Sequence, residues 1–136
     1  MKKYFYLLAI FLWSFSNLNA QTYCTPAFAS GCNSGDLIDS FTIPLAGFSH
    51  LNTGCSPGAY GDYTTTHIIN MSPAIPYPYS ITHDYSSQNV RIWIDFNNDG
   101  TFTDAAPELV STASSTGTGA ASVRNGTINI PVTVTP

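Results

Sequence analysis

Positive charge is nearly missing from this chain of 136 residues, which has only four Lys and Arg. Two of these, Lys2 and Lys3, stand at the N-terminus, so beyond residue 20 only Arg91 and Arg124 face eight acids, a net charge of −6. Such a surface has no electrostatic hold on a phosphate backbone, which excludes nucleic-acid binding. It also has none on an anionic membrane surface. A long apolar run is missing too: the longest, residues 4–15, spans twelve positions, short of the ~20 that cross a bilayer. No Gly-x-Ser-x-Gly elbow, His-Glu-x-x-His pair or glycine-rich phosphate loop occurs. His50, His67 and His83 are the only histidines. His67 and His83 lie among Thr and Tyr and read as surface or hydrogen-bonded side chains. The chain therefore reads as non-catalytic. Beyond residue 20 there is also no helical period and no internal repeat.

What is present begins with an export signal. Two lysines, the apolar run of residues 4–15, a short polar stretch and Ala20 form the order of a secretory signal peptide. Cleavage after Ala20 leaves Gln21 as the new N-terminus and no segment for membrane insertion. The remaining 116 residues, 21–136, suffice for one domain with one core. They are poor in charge and rich in Thr, Ser, Tyr, Gly and Pro, a composition for strands and turns. The location implied is secreted, extracellular or at the cell surface.

The pattern predicts a strand over residues 36–43, a turn at 44–47 and a short strand over 48–52. Residues 60–69, with their Thr, Tyr and Ile, also predict a strand. Pro73, Pro76 and Pro78 mark a loop or an edge strand, because proline donates no ladder hydrogen bond. Pairing is expected to resume at 79–85. Val90, Ile92, Ile94 and Phe96 alternate with Arg91, Trp93 and Asp95, the clearest strand in the chain, with the aliphatic face inward and Trp93 on the other face. Residues 111–121 read as a Ser/Thr/Gly/Ala loop. Asn125-Gly126 is either a hairpin turn or the start of a final strand through Ile128, Ile130, Val132 and Val134. The fold class is all-β, a sandwich of jelly-roll or immunoglobulin-like type.

Cys24, Cys32 and Cys55 follow the signal. Export makes a disulfide the default, and their spacing does not resemble zinc knuckles. Three is an odd number, and spacing alone leaves the pairing open.

The segment Asp95-Phe96-Asn97-Asn98-Asp99-Gly100 places oxygen side chains at alternate positions, with a glycine after the third. A hard cation such as Ca²⁺ takes six to eight oxygens, and a tight loop turns such positions toward one centre. Asp95, Asn97 and Asp99 would be side-chain ligands, Thr101 would offer its carbonyl, and Glu108 or Asp104 would close the shell. The twelfth loop position is Ala106 where an EF-hand has Glu, so this is no EF-hand. The alternative reading is a polar turn, which favours the same residues. Tyr77, Tyr79 and Tyr85 with Trp93 suggest either a ligand-stacking platform for a glycan or aromatic packing.

Four strings together, YCTP at 23–26, SGDLIDSF at 34–41, TGCSPGAYGDYT at 53–64 and IWIDFNNDGTFTDAAPE at 92–108, resemble the GEVED domain. This is a family of bacterial secreted and cell-surface modules. The resemblance implies a β-sandwich that accompanies adhesin-like repeats, secreted peptidases and type IX secretion sorting signals. It implies a binding or adhesion role with an extracellular glycan or protein partner, exported by secretion machinery. The other role it implies is an accessory domain of a secreted hydrolase, a peptidase, whose catalytic part is elsewhere. The family's naming motif, Gly-Glu-Val-Glu-Asp-Tyr, is absent. The resemblance thus covers the N-terminal two thirds of the domain, and the sandwich is expected to be incomplete at its C-terminus, with the partner of the odd cysteine beyond it.

Overall fold

Alternating side chains set the architecture, because successive residues of a strand face opposite sides of a sheet. The computed structural model describes residues 23–29, 32, 35–84, 88–114 and 122–133. The signal peptide expected over residues 1–20 lies outside them, as does Tyr85. Among the described residues the elements are β1 (Ile38–Ile43), β2 (Phe48–His50), β3 (Pro76–His83), β4 (Asn89–Trp93), β5 (Leu109–Ser114) and β6 (Ser122–Asn129), with two 3₁₀ turns, Pro44–Ala46 and Pro57–Ala59. One sheet has the order β2-β1-β3-β6 and the other pairs β4 with β5. All pairings are antiparallel. β5 also packs against β6, which brings the two sheets together. This is a β-sandwich. No helix among the described residues is long and apolar enough to cross a membrane.

The core lies between the sheets. Ile43 and Ile128 are 1% exposed, and Tyr77, Tyr79, Ile81, Val90 and Ile130 complete the buried cluster. Each fully buried aliphatic side chain contributes roughly 1.5–3 kcal/mol. Ile92, Ile94 and Phe96 pack against this cluster, although β4 ends at Trp93 and residues 94–96 of the expected strand lie beyond it.

Four expectations are corrected. Residues 60–69 form no strand. There the Asp62 carboxylate accepts from the Thr64 amide and hydroxyl at 3.0 and 2.7 Å, and the Thr66 and His67 amides turn back to the Tyr63 carbonyl. Local side-chain hydrogen bonds of this kind compete with a ladder and override β propensity. Pro73 stands in a turn, while Pro76 and Pro78 form the front of β3, an inner strand by sheet order whose front half is nonetheless open on one side, as the edge-strand reading has it. It tolerates Pro76 and Pro78 because β1 pairs with β3 only from Ser80 onward, so the front half has β6 as its one neighbour. A missing donor there need break no ladder bond. Ser111 to Ser114 belongs to β5, since β4 supplies a partner strand for it. Finally, Asn125-Gly126 lies inside β6, opposite Ser80 and Tyr79, and β6 ends at Asn129, short of Ile130 and Val132; Val134 and the 115–121 part of the expected loop lie outside the described residues.

Candidate functional site

β4 ends at Trp93 and delivers the chain into the aspartate loop. The Ile94 amide donates to the Glu108 carbonyl at 2.9 Å, tying the start of the loop to its end. Asn98 and Gly100 both take positive φ, +56° and +81°, which bends the backbone tightly. The bend turns amides onto carboxylates. The Asp95 carboxylate accepts from the Gly100 amide at 2.9 Å and from the Asp99 amide at 3.3 Å. The Asp99 carboxylate accepts from the Thr101 amide and hydroxyl at 2.8 and 2.5 Å.

This folding brings carboxylate oxygens of Asp95, Asp99 and Glu108 within 4.8 Å of one another. Glu108 is buried at 4% exposure, and its Oε2 accepts from the Thr103 amide and hydroxyl at 3.0 and 3.2 Å. Asp104, the other candidate to close the shell, is instead bridged to Arg91 at 2.6 Å. That is the only ion pair among the described residues, so no cationic side chain balances the three clustered acids. Asn97 is turned inward on the loop: its Oδ1 accepts from the Asp99 amide at 3.1 Å and its Nδ2 donates to Asp99 at 2.8 Å. Thr101 serves Asp99 through its amide and hydroxyl.

Two contributors carry no signal in the sequence pattern. Thr103 anchors Glu108. Tyr23 reaches across 72 residues to donate its hydroxyl to Asp95 at 3.1 Å, while its ring stacks on Phe102 at 5.3 Å. Slight desolvation, then the Asp95 hydrogen bond and the charges of Asp95 and Asp99, raise the hydroxyl of the exposed Tyr23 above its ordinary 10.0.

The Thr101 hydroxyl, then its amide, hold the Asp99 carboxyl below its ordinary 3.8; the Asn97 amide adds to this, against a small desolvation effect. A depressed folded value means that the stabilisation is fully present above the unfolded value. It is lost as pH falls through the folded one. A carbon-detected NMR titration should therefore place the Asp99 midpoint below 3.8, and Thr101→Ala should return it upward. An Asp99 midpoint unmoved by Thr101→Ala would refute this.

The disulfide joins Cys32 to Cys55, with Cα atoms 5.7 Å apart, and leaves Cys24 free and exposed. Tyr77 and Tyr79 are 5% and 3% exposed. They face the core because β3 alternates, which bears out the aromatic-packing alternative for both and leaves neither available as a stacking platform. Trp93 is half-buried, and its Nε1 has no partner among the described residues. His83 is neither a surface nor a hydrogen-bonded histidine: it is 2% exposed, and neither ring nitrogen has a partner among the described residues.

The protein thus defines itself first as an all-β sandwich with an acid-lined loop between β4 and β5. The GEVED domain family model matches residues 89–136, which take in β4, that loop, β5 and β6. Of the four strings that carry the resemblance, the match covers the one at 92–108. No curated protein and no solved structure matches the chain.

Proposed function

We propose that the chain is a non-catalytic extracellular binding or adhesion module whose β4–β5 loop is stabilised by calcium. The observation that carries the calcium reading is the convergence of Asp95, Asp99 and Glu108 without a cationic partner. Clustered carboxylates repel one another, and a divalent cation relieves that repulsion while taking their oxygens as ligands. Asp95 is half-buried and Glu108 buried, so the shell starts partly preformed. Asn97 would have to release its hydrogen bonds to Asp99 to join it. The disulfide and the export signal favour an extracellular setting, where proteins bind calcium at about 10⁻⁴–10⁻³ M. Binding to a glycan or protein surface is the role in keeping with the chain's lack of catalytic motifs.

Calorimetry tests the calcium reading. With an affinity of about 0.1 mM, roughly 10 mM Ca²⁺ stabilises the fold by about 2.7 kcal/mol. For a domain of this size that raises the melting temperature by about 10 °C. Asp95→Ala and Glu108→Gln should each abolish the heat and the shift. No heat from wild type at millimolar Ca²⁺ would end the calcium reading.

A further inference from the structure

A second cluster of ligating side chains lies far along the chain from the aspartate loop. His50 closes β2, and His67 follows the turn that replaces the expected strand at 60–69. Their rings meet with centroids 4.3 Å apart and planes inclined by 62°. Both are half-buried and line one side of a groove of about 1040 Å³ between the sheets, which gives solvent a path to them. Tyr63 packs on His50 at 4.5 Å, and Phe48 on His67 at 5.6 Å, so aromatic neighbours fix both rings. Neither imidazole makes a hydrogen bond among the described residues. The ring separation is informative. A metal bound about 2.05 Å from an imidazole nitrogen lies about 3.2 Å from the ring centre, so two imidazoles in adjacent positions have centres about 4.5 Å apart.

We propose that His50 and His67 form a two-imidazole site for a borderline divalent transition metal of the nickel or copper class, with water on its remaining positions. Imidazole nitrogens select such metals, whereas calcium requires oxygen. Two imidazoles in adjacent positions, at the centre separation seen here, suit the tetragonal or octahedral geometry these ions adopt. No third His, Cys, Asp or Glu joins the pair among the described residues, so the site is open and exchangeable. The site does not depend on the calcium reading. The net charge of −6 beyond residue 20 favours any cation.

The test is a titration of the untagged, exported chain with NiCl₂, followed by calorimetry and by proton NMR of the histidine rings. One site should appear, and paramagnetic broadening should strike His50 and His67 well before His83. His50→Ala and His67→Ala should each weaken nickel at least tenfold while their circular dichroism stays that of wild type. Asp95→Ala and roughly 10 mM Ca²⁺ should leave nickel binding intact, because calcium takes oxygen ligands. Absence of nickel binding by wild type overturns the proposal. So does broadening centred on other residues, or competition by calcium. The NMR readout uses wild-type protein, so a variant that fails to fold does not shield the idea.

Discussion

Gly126→Val should lower the stability of this protein by about 3 kcal/mol in urea denaturation, the upper end of what overpacking costs. Gly126 sits in β6 directly opposite Tyr79 of β3. A Cβ added there would stand 2.5 Å from the Tyr79 hydroxyl oxygen and 2.6 Å from two of its ring carbons. The tyrosine ring lies across the glycine and occupies the space a side chain would take. It has little freedom to leave. Tyr79 is 3% exposed, its hydroxyl shares a 2.9 Å hydrogen bond with the Ser111 hydroxyl, and its ring meets Phe41 edge-on at 6.1 Å. Displacing it would break a link between β3 and β5 and disturb the centre of the core. The diagnostic experiment is a double-mutant cycle. In a Tyr79→Leu background the loss from Gly126→Val should shrink by at least about 1 kcal/mol, because the obstructing ring is gone. A Gly126→Val protein as stable as wild type would show that the ring moves aside freely.

Loss of the Cys32–Cys55 bond should cost a similar amount. The bond closes a loop of sequence separation 23, for which the chain-entropy account gives about 3 kcal/mol. Its position adds to the effect. Cys32 precedes β1 and Cys55 follows β2, so the bond closes the open end of that hairpin. β2 is the outermost strand of its sheet and holds to β1 through only Phe41↔His50, Thr42↔Ser49 and Ile43↔Phe48. Beyond it, the Thr53 amide reaches the Asp39 carbonyl at 2.9 Å, and the Thr53 hydroxyl donates to the Ile38 carbonyl. Reduction, or Cys32→Ala with Cys55→Ala, should lower the denaturation midpoint. Amide exchange should then quicken first in β2 and its flanking turns. Cys24→Ser is the control, since that thiol is free and exposed. A midpoint indifferent to reductant would contradict this account.

Both effects reside in features that the sequence presents only partly. The cysteines are visible, but three of them leave the pairing open, and Cys32 finds Cys55 because the β1–β2 hairpin brings their backbones together. Asn125-Gly126 looks like a turn because the dipeptide favours one in isolation. Here the glycine answers a steric demand from Tyr79, 47 positions earlier, and nothing local records that demand. Likewise the prolines at 76 and 78 look disruptive until the sheet order shows that β1 does not pair with that half of β3.

The candidate site divides in the same way. Asp95, Asn97, Asp99 and Gly100 are legible because the bend and its hydrogen bonds are made within six residues. The choice of Glu108 over Asp104 is not legible, since it depends on Arg91 in β4 capturing Asp104. Tyr23 and the His50–His67 pair are not legible either, because each is assembled across the fold.

The all-β class, the strand expected from Val90, which ends at Trp93 and not at Phe96, the turn at 44–47 and the acidic loop can all be read from the residues alone. Each follows from local periodicity or turn chemistry, which short stretches of chain encode. Which cysteine stays free, which tyrosines face the core, which carboxylates converge and which histidines touch emerge only when the sheets come together. Those outcomes turn on strand order and register, set by burying Ile43, Tyr79, Ile81 and Ile128 together, and no single segment holds that information.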